Sequence, residues 1–216
     1  MPFATSRLTT ALVLLTGVTG VVEAVSYLGL DRVFAAVMTG NVLFVGFGLV
    51  DRSIPVAGSA VALVAFVLGA LAGHRVNGAL SRRRPERWLT YAVCGEGALL
   101  LVAALLALGL PSHPAELTPH RLAVIVVLAA AMGSRNVTIL RVAAPDLPTT
   151  VLTRALAGTF MLPSQGRIGR RVASVVAMFA GALTGAFLLS WHPAVALAAA
   201  ALLEIVAGVL CPRTKP

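Results

Sequence analysis

Charged side chains interrupt long apolar runs of this sequence at Glu23, Glu96, Arg135 and Arg154. Ionised groups inside such runs are costly unless paired, protonated or wetted, so each marks a place where the chain has a use for charge. A carboxylate there could titrate a proton or touch a solute, and a guanidinium could draw in an anion. Glu23 stands in "GVVEA", and its plain alternative is an interfacial residue near Asp31 and Arg32. Glu96, in "YAVCGEGALL", has a glycine on each side. Small neighbours admit a second helix close to a polar group, and the alternative is a structural, hydrogen-bonded carboxyl. Arg135, in "AAAMGSRNVTILR", lies about 9 Å of helical rise before Arg141, within reach of snorkelling. A Glu23–Arg135 contact is one way to pair both charges. Arg154, in "TTVLTRALAGTF", could serve an anionic solute or the inner headgroups. Glu204, in "ALLEIVAG", lies within about 10 Å of the end of its run and reads as shallower.

Neutral groups raise the same question. "MTGN" places Thr39, Gly40 and Asn41 inside "VFAAVMTGNVLFVGFGLV". Gly40 would let the backbone bend or approach closely, and Thr39 and Asn41 would satisfy the freed backbone or meet a solute. Packing competes with this reading, because Thr and Asn join helices across lipid and Gly is common in spans. Asn136, beside Arg135, and Thr153, beside Arg154, complete a candidate substrate or proton pathway.

The elements that carry these residues follow from composition. Of 216 residues, 58% are hydrophobic and 12% charged, and mean hydropathy is +0.93. Soluble domains carry about 25% charged residues, so this chain cannot cover a water-facing surface. Apolar runs recur at 8–30, 33–50, 56–73, 88–110, 122–140, 172–191 and 194–211, and a spanning helix needs roughly 20 such residues. The fold class is an all-α polytopic membrane protein. The run after Arg7 is long for a signal-peptide core and lacks a clear cleavage signal, so residues 1–30 are read as part of the mature protein. Cys94 and Cys211 are isolated, which gives no metal or redox pattern. His74, His113, His120 and His192 fall at segment ends and read as loop residues. No cofactor or metal is expected.

The net charge of +9 would hint at nucleic acid in a soluble protein. Here the basic residues lie between apolar runs, where they set topology and meet anionic headgroups. Positive loops stay inside. That puts "HRVNGALSRRRPER", "RIGRR" and the tail "CPRTKP" inside, and "PSHPAELTPH" and "WHP" outside. With Arg7 inside, residues 33–50 begin and end outside, and residues 147–162 begin and end inside. The expectation is about six spans plus two short broken or re-entrant elements, with both termini cytoplasmic. Complete crossing by residues 33–50 is the rival.

The halves echo each other. "GVVEA" (20–24) aligns with "GSRNV" (133–137), "VMTG" (37–40) with "VLTR" (151–154), and "GALAG" (69–73) with "GALTG" (181–185). The spacings are 113, 114 and 112 residues. Three spans per half force opposite insertion, so residues 1–110 and 111–216 are expected to form an inverted 3+3 repeat, a recurring transporter plan. The pairs Gly69/Gly73 and Gly181/Gly185 are small-residue ridges, usable within the monomer or at a homodimer contact.

The stretch from Gly17 to Leu49 resembles the YoaK-like family of bacterial inner-membrane proteins of undefined function. The resemblance rests on Glu23, Ala24, Tyr27, Phe34 and Met38 to Asn41, and on "AAAMGSRNV" as a second region. Where the family commonly has Asp and Gln, this chain has Glu23 and Arg135; where it often reads Thr-Gly, this chain has Thr153 and Arg154. The resemblance implies an inner-membrane location, about six spans and no known substrate.

These features point to a small-solute secondary transporter or permease, with alternating access around the broken elements and Glu23 or Glu96 as a proton carrier. Arg135 and Arg154 lean toward an anionic solute. A channel, and a non-catalytic membrane scaffold or assembly protein, are the alternatives. No nucleophile–base pair or nucleotide-binding loop is present in the sequence, so no enzymatic activity is expected.

Overall fold

Six of the apolar runs become helices long and apolar enough to cross a membrane. In the computed structural model, which describes residues 6–54, 56–110, 117–142 and 165–213, these are α1 (Ser6–Gly29), α3 (Ala57–Arg83), α4 (Trp88–Ala107), α5 (Pro119–Val142), α6 (Gln165–Leu189) and α7 (Pro193–Leu210). A seventh helix, α2 (Met38–Gly48), has 11 residues. At 1.5 Å per residue it is about 16 Å long, well short of an apolar core of about 30 Å.

Helix directions follow from contacts. Gly58 packs near Ile125, Gly73 against Ser134, and Asn77 bonds Thr138, so α3 and α5 run parallel. Gly20 lies against Met178 and Ala182, and Gly29 against Leu189, so α1 and α6 run parallel. Arg121 at the start of α5 reaches the carbonyl of Gly29, and Arg135 further along reaches that of Leu15, so α1 and α5 are antiparallel. It follows that α1 and α3 run in opposite directions. The α1–α3 connection, with α2 in it, therefore leaves and rejoins the bundle at one end. By the same reasoning α5 ends and α6 begins at the opposite end. The segment 147–162 between them, with Thr153 and Arg154, lies outside the described residues.

Two segments read as loops are helical. Residues 74–83 extend α3 by almost three turns past its apolar run, and "RIGRR" belongs to α6. Arg is a good helix former, and the extension of α3 has something to pack on: Asn77 donates to Thr138, and Arg141 of α5 donates to Ser81. His192 caps α7, its Nδ1 accepting from the Ala194 N–H at 3.1 Å, with Pro193 following. Pro at the first helical position suits this, since its missing N–H is one the helix cannot use.

Close approach between helices is set by glycines. A methyl on Gly20 would strike the backbone of Met178 and Ala182; a methyl on Gly133 would strike that of Phe66 and Ala70. Likewise Gly181 meets the backbone of Gly17, and Gly69 that of Ala130. Helices α3 and α6 turn Val64, Val67, Leu68 and Leu71, and Val176, Phe179, Leu183 and Phe187, outward, as lipid-facing helices must. Helices α1 and α5 are the most enclosed of the six.

The interior divides into two apolar clusters. One gathers Val18, Val22, Leu100, Leu128, Met132 and Leu197. The other gathers Leu12, Leu15, Trp88, Val93, Ile139 and Ala207. Glu96 of α4, Arg135 of α5 and Glu204 of α7 lie in sequence between members of the two.

Candidate functional site

Glu96 falls between Val93 and Leu100, Arg135 between Met132 and Ile139, and Glu204 between Ala201 and Ala207. Parallel and antiparallel packing brings these three to one level, as a charged layer between the apolar clusters. Gly97 makes this feasible: its face lies against Ile205 and Glu204, so α7 approaches α4 closely enough to deliver a carboxylate beside Glu96. Side-chain exposures are 0% for Arg135, 2% for Glu96 and 0% for Glu204.

Arg135 does not snorkel. It pairs directly with Glu204 Oε2 through one terminal nitrogen, and its Nε stands 3.9 Å from Glu96 Oε2. Its other terminal nitrogen donates to Thr19 Oγ1 at 3.0 Å and to the Leu15 carbonyl at 3.3 Å. Glu96 Oε1 lies 2.6 Å from Thr138 Oγ1 and 3.3 Å from Ser134 Oγ. Thr138 Oγ1 is also 3.0 Å from the Ser134 carbonyl and accepts from Asn77 Nδ2 at 2.9 Å. The layer thus draws on α1, α3, α4, α5 and α7. Glu204 sits close to the end of its run, as its place in the sequence suggests, yet it is fully buried, because the Arg135 guanidinium gives the carboxylate a partner. Thr19, Asn77, Ser134 and Thr138 were missed, since hydroxyls and amides are common in spans and only the packing selects these.

The expected Glu23–Arg135 pair is replaced by a different arrangement. Arg135 contacts Thr19, one turn before Glu23, and takes its carboxylates from α4 and α7. Glu23 turns instead to the start of α2. Its Oε1 accepts from the N–H groups of Ala36 at 2.5 Å and Val37 at 3.1 Å, and Ser26 donates to its Oε2 at 3.4 Å. A carboxylate suits this place, because a helix N-terminus presents unpaired N–H groups and partial positive charge.

MTGN completes that arrangement. Asn41 is fully buried; its Oδ1 accepts from the Phe34 N–H at 3.0 Å, and its Nδ2 donates to the Phe34 carbonyl at 2.7 Å. Gly40 leaves space for the Phe34 ring, which stacks between Tyr27 and Phe44. Thr39 is exposed, and Asn136 half-buried. Glu23, Gly40 and Asn41 therefore act together on one loop, while Glu96 and Arg135 belong to the charged layer.

Beside α2 a cavity of about 290 Å³ is lined by Tyr27, Asp31, Arg32, Phe44, Phe47 and Ser59. Asp31 and Arg32 both have positive φ, 71° and 56°, a conformation costly for side-chain-bearing residues. Burial pushes the Asp31 carboxyl up, opposed by the charges of Arg121 and Arg32.

A family described as "Protein of unknown function (DUF1275)" matches residues 11–210. The chain belongs to that family. It is also similar to the UPF0700 transmembrane protein YoaK of Bacillus subtilis (strain 168), with 30% identity over 150 residues. That match covers 68% of this chain and 64% of the relative, so the chain spans a little under two thirds of the protein it matches. No solved structure matches. Six apolar helices and this kinship make the chain a multi-pass protein of the bacterial inner membrane.

Proposed function

We propose that this family member is a small-solute secondary transporter or permease, non-catalytic, working by alternating access of two oppositely inserted halves. The observation that carries the reading is the charged layer: Arg135, Glu96 and Glu204 held between two apolar clusters by five helices. Intramembrane ionisable residues are costly and cluster on ion and solute pathways. The opposite insertion is supported by paired contacts. Gly20 on Met178 and Ala182 matches Gly133 on Phe66 and Ala70 when each residue is exchanged for its counterpart 112 or 113 positions away. Gly69 on Ala130 matches Gly181 on Gly17 in the same way.

Positive-inside reasoning places both termini in the cytoplasm, with α2 and its cavity on the outer side. The charged layer then lies roughly 9–12 Å from the inner ends of α4, α5 and α7, and Glu23 lies in the outer half. α2 is the re-entrant element, held by Glu23 and Asn41. Arg135 favours a solute with anionic character. The reading is tested by flux into proteoliposomes with a panel of small carboxylates, with and without an imposed pH gradient. Uptake above protein-free vesicles, lost in Arg135→Gln, is expected.

The second reading, a membrane scaffold, is favoured by the closure of the layer, whose charged side chains are 0–2% exposed. It predicts no flux for any panel member and a stable partner on purification.

A further inference from the structure

The charged layer holds two carboxyl groups against one guanidinium, and the three side chains are almost wholly enclosed. If both carboxyls were ionised, a net negative charge would be buried in an apolar interior, at a large cost in solvation. Among the described residues, Arg135 is the cation in contact with these two carboxyls. Helix α1 supplies Thr19 and the Leu15 carbonyl, α3 supplies Asn77, and α5 supplies Ser134 and Thr138 besides Arg135. Cys94 on α4 and Cys211 after α7 are free cysteines.

Hydrogen-bond geometry shows where a neutralising proton belongs. Thr138 Oγ1 has three neighbours: Asn77 Nδ2 at 2.9 Å, Glu96 Oε1 at 2.6 Å and the Ser134 carbonyl at 3.0 Å. A hydroxyl has one hydrogen to donate and two lone pairs to accept with. Asn77 Nδ2 can only donate, and the Ser134 carbonyl can only accept. With Glu96 ionised, the single Thr138 hydrogen serves either Glu96 Oε1 or the Ser134 carbonyl and leaves the other of these two contacts without it, while Ser134 Oγ also donates to Glu96 Oε1. With a proton on Glu96 Oε1 all three Thr138 contacts carry a hydrogen. Glu96 then donates to Thr138, Asn77 donates to Thr138, and Thr138 donates to Ser134. Glu204, in direct contact with Arg135, is the better placed of the two to stay ionised.

We propose that Glu96 is a neutral carboxylic acid in this state, that Glu204 is the carboxylate partner of Arg135, and that the Glu96 proton is the exchangeable proton of the molecule. Calling it a coupling proton rests on the transport reading; its presence does not. A metal cation is a poor substitute, since the guanidinium would repel it and two hydroxyls already occupy Glu96 Oε1.

Infrared spectroscopy of the full chain in lipid vesicles reads this directly. At neutral pH the wild type should show the carbonyl stretch of a buried carboxylic acid. Glu96→Gln should abolish that band, Glu204→Gln should weaken it as Glu96 becomes the carboxylate that balances Arg135, and Thr138→Val should shift it. Gln at 96 keeps a donor for Thr138 and a carbonyl acceptor without adding charge, so Glu96→Gln should fold and melt like the wild type. Absence of the band in wild type, its survival in Glu96→Gln, or misfolding of Glu96→Gln would each overturn the proposal. A band that behaves as stated, together with no flux of any solute in the panel, would instead sink the transport reading and leave this one standing.

Discussion

Arg135 and Glu204, 69 residues apart in the chain, form an ion pair that neither water nor lipid reaches. Removing one member of such a pair leaves the other charge buried alone, at a cost of about 3–5 kcal/mol. Glu204→Gln and Arg135→Gln should therefore each lower the unfolding temperature in detergent markedly. The double variant should lose much less than the sum, as residues in contact are not additive. Additive losses would mean that the pair is not the unit of stability.

Glu23 should govern the start of α2. Its carboxylate takes the N–H groups of Ala36 and Val37, and bonds to a charged group contribute about 1.5–3 kcal/mol each. Glu23→Ala should raise hydrogen–deuterium exchange at residues 34–41 while leaving α4 and α7 protected. Unchanged exchange there would show that Glu23 does not hold the loop.

Asn41 makes a two-way contact that Asp cannot. Asn41→Asp keeps an acceptor for the Phe34 N–H but loses the donor to the Phe34 carbonyl. A loss of about 1–3 kcal/mol is expected from the unserved buried group, read by thermal unfolding, with Asn41→Ser no better.

The matched glycines give a paired test of the two halves. Gly20→Ala and Gly133→Ala each push a methyl into a neighbouring backbone. Overpacking of this kind costs about 1–3 kcal/mol. The two losses should be similar, and a large disparity between them in unfolding assays would argue against equivalent roles.

Much of the frame was legible because apolar run length reports spans directly. The expectation that residues 33–50 do not cross rests on charge, with Arg7 and the basic stretch 74–87 both read as inside and Asp31-Arg32 and Asp51-Arg52 flanking the run. Helix ends were less so: α3 continues to Arg83 because helical hydrogen bonding does not stop where apolarity does. Glu96 and Arg135 stood out as charges in apolar runs. Their partners did not, because hydropathy along one helix says nothing of which neighbour faces it. Glu204 looked shallow by distance from its run's end, and Thr138 and Asn77 looked like ordinary span residues. MTGN stood out by composition, yet the bonds of Asn41 to the Phe34 backbone and of Glu23 to the α2 start come from a fold-back that only the packed chain displays.

The central claim is that oppositely inserted halves hold the charged layer nearer the cytoplasm, with α2 returning to the outer face. Single-cysteine labelling tests it most directly, in a background lacking Cys94 and Cys211, with probes at Ser6, Ser53, Ser81 and Ser190. The account predicts that impermeant reagent added outside labels Ser53 and Ser190 and spares Ser6 and Ser81 until the membrane is opened. Labelling of Ser6 and Ser53 from opposite faces, with Ser81 still inside, would mean that the α2 segment crosses the membrane, and would contradict it.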